Sequence, residues 1–171
     1  KDYLMAFGGL LILDADALNR ISESKLGSNF FLERKFKTWI TPHSKEFGRL
    51  FPNIKSKTNV GLARDAAKEF NISILLKGAN SIVADNKKVW QLFGTDSQTA
   101  RAGLGDLLSG FVAGSSAIDL TLCRNISTDF FAKYVLLHSF AASKCKSGSN
   151  ASAIGDELTK LMRNIKTRQI S

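Results

Sequence analysis

The sequence is short of the residues that build metal centres and covalent cross-links. Its 171 residues include only two cysteines, two histidines and two prolines. Cys123 and Cys145 stand 22 positions apart with no Cys-x-x-Cys or His-x-x-x-His spacing around them. His43 and His138 are remote from both, which argues against zinc. Two unpaired thiols suit a reducing compartment, so a cytoplasmic location is expected. Two prolines beside thirteen glycines exclude a collagen-like or low-complexity chain. Long hydrophobic runs are also missing. The longest, Leu10–Leu13 and Ile72–Leu76 with one Ser, fall far short of the ~20 residues a bilayer-spanning helix needs. No membrane partner is expected.

What remains is the composition of a folded domain, 44% hydrophobic and 23% charged. A chain of this length buries roughly two-thirds of its unfolded surface. The net charge of +9 is spread out. Residues 1–57, 58–118 and 119–171 contribute +4, +1 and +4, and no block of five like charges occurs. Such charge reads as a solvated surface with a diffuse attraction for polyanions, phosphorylated metabolites included. No helix-turn-helix, zinc-finger or aromatic RNA-binding signature accompanies it, so nucleic acid is not expected as a partner. The first residue is Lys1, not Met, which raises truncation.

Short apolar runs alternate with amphipathic segments. Gly9–Asp14 reads as a strand buried on both faces because its apolar positions run on without alternating, and Ile72–Lys77 reads as another buried strand. Lys37–Thr41, ended by Pro42, is a further candidate strand. Ser81–Ala84 and Val89–Phe93, around the turn-forming Asp85-Asn86-Lys87-Lys88, read as a hairpin. Helices are expected over Ala17–Ser24 with Asp16 as N-cap, and over Lys45–Phe51, Lys57–Phe70, Gly103–Ile118, Thr128–Cys145 and Ala153–Ile165. This alternation predicts an α/β fold with a mostly parallel central sheet flanked by helices on both faces. Ligands of such sheets bind at the carboxyl ends of the strands.

Four strand or loop ends there are polar. In Asp14-Ala15-Asp16-Ala17-Leu18-Asn19 two carboxylates on one side of an extended chain suit a hydrated Mg²⁺ or a phosphate-bound metal. They equally suit a helix cap and loop hydrogen bonds. In Thr41-Pro42-His43 the imidazole is either a ligand contact or a solvated loop residue. Lys77-Gly78-Ala79-Asn80-Ser81 ends an apolar strand in a lysine followed by a glycine that lets a ligand approach the backbone. That lysine is either a phosphate contact or an edge residue snorkelling to water. In Gly103-Leu104-Gly105-Asp106 two glycines precede an apolar helix, whose free amides accept an anion. Asp106 complements the helix dipole in any case. Beside bound phosphate, a carboxylate also has the chemistry to take a proton from an attacking hydroxyl.

Taken in order, DADALN, TPHSKEF, LLKGANS and GLGDLLSG resemble the hallmark strings of the ADP/ATP-dependent NAD(P)H-hydrate dehydratases. These are carbohydrate-kinase-like enzymes of the ribokinase-like superfamily that repair hydrated nicotinamide cofactors. The likeness extends over nearly the whole chain and includes the closing segment from Ser152 to Leu158. It implies the C-terminal portion of a single ribokinase-like catalytic domain over residues 1–171, with the N-terminal part of that domain absent.

The resemblance also implies roles. Asp106 is the catalytic base and a substrate contact; Gly103 and Gly105 form an anion hole. His43 and Asp14 line the site of the hydrated dinucleotide. Lys77, Gly78, Ala79, Asn80, Ser81 and Gly105 bind the adenine nucleotide. ADP or ATP is the co-substrate, Mg²⁺ neutralises its phosphates, no metal ligand is assigned, and the protein assembles as a homo-oligomer. Four positions depart from the family pattern. Ser44-Lys45 follows His43 where Pro-Gly is usual, Leu104 replaces a Ser or Thr, and Arg101 replaces a small residue. These departures keep two other readings open, a ribokinase-like small-molecule kinase that stops at phosphorylation and a nucleotide-binding remnant without catalysis.

Overall fold

The computed structural model describes residues 2–93, 103–123, 125–146 and 148–168, the side chains of Cys123 and residues 165–168 excepted. Residues 1–93 and 94–171 form two compact units.

The first unit contains α1 (Asp2–Ala6), β1 (Leu11–Leu13), α2 (Ala15–Ser22), α3 (Asn29–Glu33), β2 (Thr38–Ile40), α4 (Ser44–Leu50), α5 (Asn59–Phe70), β3 (Ser73–Leu76), β4 (Ser81–Ala84) and β5 (Val89–Leu92). Its sheet has the order β1-β2-β3-β4-β5. The first three strands are parallel, and β4 and β5 add an antiparallel hairpin. The register puts Leu13 beside Ile40, Ile40 beside Ile74, and Ile74 beside Ala84. That face packs on apolar residues of α2 to α5, among them Leu18, Phe47 and Ala63. The alternate positions, Trp39, Leu75 and Val83, have no exposed surface. Continuous apolar strands are what burial on both faces demands.

All five strands lie where the sequence reading puts them, including the hairpin. Its turn is closed by Asp85 Oδ1, which accepts from the amides of Lys87 and Lys88 at 2.7 Å each. Helix α5 buries Ala63, Ala67 and Phe70 as its periodicity predicts. The expected N-cap of α2 is corrected: the cap is Asp14, and Asp16 lies within the first turn. Ala15 adopts φ = 44°, which ends the extended run. The alternation that would put Asp14 and Asp16 on one side therefore does not apply.

Two short helices were not anticipated, α1 and α3, each of five residues and too short for an amphipathic period. The segment after α1 is tied down by the buried Arg34. Its guanidinium donates to the carbonyls of Leu4 (2.6 Å), Phe7 (2.7 Å) and Gly9 (2.8 Å), and its Nε to Thr38 Oγ1 at 3.0 Å. Burial lowers the Arg34 pKa from its ordinary value.

The second unit consists, among its described residues, of α6 (Leu104–Cys123), α7 (Thr128–Lys144) and α8 (Ala151–Arg168). Helix α6 runs five residues beyond the small-residue pattern that ends at Ile118. There Tyr134 of α7 donates its hydroxyl proton to Asp119 at 2.5 Å. The predicted stripe of Phe131, Val135, His138 and Ala142 is buried along α7. Ala141, Ala142, Ile154 and Leu158 form a small core with Leu104, Leu107 and Phe111 of α6 against it.

Candidate active site

Three of the predicted positions converge at the carboxyl ends of β1, β2 and β3. Thr41, fully buried, continues β2 by donating its amide to Leu13 O at 3.1 Å. Lys77 continues β3 by donating its amide to Pro42 O at 2.9 Å, which makes a single parallel bridge between His43 and Lys77. The Lys77 ammonium reaches Asp14 Oδ1 at 2.8 Å. Asp14, His43 and Lys77, up to 63 positions apart in sequence, therefore share one edge of the sheet. Parallel sheets leave this edge open for ligands, because the chain turns there from strand to helix.

Each of the three is held by local chemistry. Asp14 caps α2 by accepting the Ala15 amide at 2.9 Å on the same Oδ1 that receives Lys77. His43 is the N-cap of α4. Its Nδ1 accepts from the amides of Lys45 (3.1 Å) and Glu46 (3.4 Å), and its own amide donates to Glu46 Oε2 at 2.8 Å. With Nδ1 accepting, the ring proton sits on Nε2, 3.3 Å from Glu46 Oε1. This is a capping box with histidine in the place normally taken by serine or threonine. Half of the imidazole remains exposed at 48%, while Glu46 is buried at 6%.

The capping box accounts for one departure from the family strings. Ser44 and Lys45 are the first two residues of α4. A proline is tolerated at the first of these because its amide would find no helical partner, so serine there leaves the cap intact. The second must supply an amide to Nδ1, which lysine does as well as glycine.

The loop after Lys77 follows directly. Gly78, Ala79 and Asn80 are exposed between β3 and β4. Ser81, at the start of β4, donates its hydroxyl to Gly78 O at 3.4 Å, folding the loop back on itself. A side chain at Gly78 would meet nothing nearer than Asn80 O at 3.9 Å, so packing does not require the glycine. An open backbone here leaves room for a ligand.

The remaining predicted residues begin α6. Gly103 has φ = 81°, a conformation that favours glycine, and its carbonyl accepts from Leu107 at 3.0 Å to open the helix. The amides of Leu104, Gly105 and Asp106 follow in the first turn, where an α-helix leaves its N–H groups unpaired. Asp106 is exposed beside them. Leu104 packs on the α7–α8 core, which explains how a leucine occupies a position that is usually Ser or Thr. Arg101 lies outside the described residues. A cleft of about 1050 Å³ runs from Gly103 and Asp106 along α6, bordered by Gly110, Phe111, Tyr134 and Gly155.

Among the described residues, no group of three His, Cys, Asp or Glu side chains is placed to hold a metal ion. A Mg²⁺ that arrives on nucleotide phosphates keeps several waters and needs few protein ligands.

Sequence reasoning missed two features. The Glu46 contact to His43 carried a signal, a glutamate three residues after the cap, but histidine is not the expected capping residue. The Asp14–Lys77 pair carried none, because only the sheet topology brings its members together.

Parallel strands with polar residues at their carboxyl ends, and a glycine-led helix bearing a carboxylate, are features of the ribokinase-like fold. Solved structures support that fold. A ribokinase-like superfamily protein from Enterococcus faecalis matches with a TM-score of 0.73 at 24% identity, over 91% of this chain and 52% of its own. The ADP/ATP-dependent NAD(P)H-hydrate dehydratase of Bacillus subtilis, co-crystallised with ATP and Mg²⁺, matches with a TM-score of 0.72 at 22% identity, over 95% and 57%. The family model described as carbohydrate kinase, NAD(P)H-hydrate dehydratase, matches residues 3–166, and the chain belongs to that family. The bifunctional NAD(P)H-hydrate repair enzyme of Gloeobacter violaceus is 41% identical over 118 residues, which are 68% of this chain and 22% of that protein. The ADP-dependent (S)-NAD(P)H-hydrate dehydratase of Nitrosopumilus maritimus is 37% identical over 78 residues, 44% of this chain and 27% of that protein. The chain thus spans about a fifth to a quarter of these curated relatives and just over half of the two solved proteins.

Proposed function

We propose that the protein bearing this chain dehydrates hydrated NADH or NADPH at the expense of ADP or ATP. The observation that carries the reading is the gathering of Asp14, His43 and Lys77 at one sheet edge, through the 2.8 Å Lys77–Asp14 contact, in a chain of this family. His43, its Nδ1 committed to the helix, offers its half-exposed ring to the dinucleotide. Lys77 and the Gly78–Ser81 loop take the nucleotide phosphates. Gly103 and Gly105 bring backbone amides to the phosphoryl group, and Asp106 is the base. The active protein is a homo-oligomer.

The chemistry follows from the substrate. Asp106 removes the proton of the hydroxyl on the hydrated ring, and that oxygen attacks the terminal phosphorus of the nucleotide. The bond from that phosphorus to the bridging oxygen breaks, leaving the nucleotide one phosphate shorter. The phosphate ester then departs as inorganic phosphate as the ring nitrogen's lone pair pushes in. Loss of a proton from the neighbouring carbon restores the double bond. When bound, Mg²⁺ neutralises phosphate charge and polarises the phosphoryl oxygens. The protein's part is positioning and electrostatic stabilisation, the main sources of catalysis in phosphoryl transfer.

The test is direct. Supplying hydrated NADH with ADP or with ATP should restore the absorbance of the reduced nicotinamide and release phosphate one for one. Nucleotide binding without absorbance recovery from either nucleotide would refute the reading.

A further inference from the structure

We infer that Asp14 is a positioning residue that holds the Lys77 ammonium across the end of β2, so that the lysine acts on the phosphoryl group in transfer and not only as a nucleotide anchor. The inference rests on the proposed function and assigns Asp14 a task within it.

The sheet geometry is the first support. Asp14 follows β1 and Lys77 follows β3, with β2 between them. Two inter-strand spacings separate their backbones by about 10 Å. An aspartate side chain covers little of that distance, so the lysine side chain must lean across the end of β2 to reach a 2.8 Å contact. Its ammonium is drawn away from its own Gly78–Ser81 loop, towards the strand end that carries His43. A lysine serving only that loop has no reason to lean in this direction.

Asp14 is itself fixed. Its Oδ1 accepts the Ala15 amide at 2.9 Å as the cap of α2, and Ala15 holds the sparsely populated φ of 44°. Non-glycine residues at positive φ persist where the surroundings over-determine them, and such residues cluster at functional sites. The pair is also shielded, with side chains 13% (Asp14) and 25% (Lys77) exposed. An ammonium has three donors, so a lysine that gives one to Asp14 keeps two for phosphate oxygens.

Charge decides which kinetic constant should respond. The pair is neutral, so Asp14 adds no attraction for an anion; its carboxylate opposes one. Its contribution is direction, realised where the phosphoryl group is transferred, and loss of such an interaction lowers kcat without raising the nucleotide KM.

The test uses Asp14→Asn, Lys77→Met and the double variant in the protein as its gene encodes it. Asparagine caps helices about as well as aspartate, so Asp14→Asn removes the charge and keeps the cap. We expect Asp14→Asn to lower kcat about tenfold or more, with the nucleotide KM unchanged or lower. The double variant should be no slower than Lys77→Met alone, because residues acting as a unit are non-additive. A second readout does not depend on turnover. Competitive acetylation followed by mass spectrometry should label Lys77 several-fold faster in Asp14→Asn than in the wild type, with ADP protecting it. Wild-type kcat in Asp14→Asn, additive losses in the double variant, or unchanged Lys77 labelling would each overturn the assignment. If the wild type itself turns over no hydrate, the proposed function fails, and the labelling alone decides whether Asp14 holds the lysine.

Discussion

His138 offers a quantitative check on the second unit. It lies on α7, 8% exposed, and its Nε2 has no hydrogen-bond partner among the described residues. Burial pushes its pKa from the ordinary 6.5 down to about 4. The folded protein therefore keeps the ring neutral down to about pH 4, while the unfolded chain takes up a proton below about 6.5. Between these values the unfolded state binds more protons, so stability falls as pH falls. It is level above 6.5 and level again below 4. A shift from 6.5 to about 4 corresponds to about 3 kcal/mol, at 1.36 kcal/mol per pH unit. That is a large share of the ~5–15 kcal/mol that stabilises a typical domain. His138→Leu removes the titration and keeps an apolar side chain in place. Urea unfolding of both proteins at several pH values between 7 and 4 isolates the effect. The stability of the wild type relative to His138→Leu should drop by about 3 kcal/mol over that range. Parallel profiles for the two proteins would refute the burial argument.

Two further substitutions probe the first unit. His43→Ala should cost about 1–2 kcal/mol in urea unfolding through loss of the α4 cap, whereas His43→Asn should restore most of it. Both should raise the KM for the hydrated dinucleotide, so stability and substrate binding separate at one residue; equal stability of the two variants would contradict the capping role. Arg34→Lys keeps the charge but loses the fork that serves three carbonyls, and should cost about 2 kcal/mol. Limited proteolysis should then cut within residues 2–9, and wild-type resistance there would count against the tie.

The strands were legible because burial on both faces leaves continuous apolar runs such as Leu11–Leu13 and the Ile74-Leu75-Leu76 part of β3, and the hairpin because Asp85-Asn86-Lys87-Lys88 has turn composition. The ends of α2 and α6 were less so. Ala15's positive φ moves the α2 cap from Asp16 to Asp14, and no propensity signals a strained alanine. Helix α6 outlasts its small-residue pattern because Asp119 gains a partner, Tyr134, from the next helix. At the site, residue types and order pointed to Asp14, His43, Lys77 and Asp106. Their partners did not follow, since Glu46 caps with an unusual residue and the Asp14–Lys77 contact spans 63 positions. Long-range pairing is a property of topology, and local sequence carries little of it.

In the proposed reaction Asp106 takes the proton from the substrate hydroxyl as phosphoryl transfer begins. The most direct measurement compares wild type and Asp106→Ala for absorbance recovery from hydrated NADH with ADP or ATP, alongside nucleotide affinity by calorimetry. Loss of a general base predicts a fall in turnover of at least about 100-fold with nucleotide affinity largely kept. Turnover in Asp106→Ala close to that of the wild type would contradict the account.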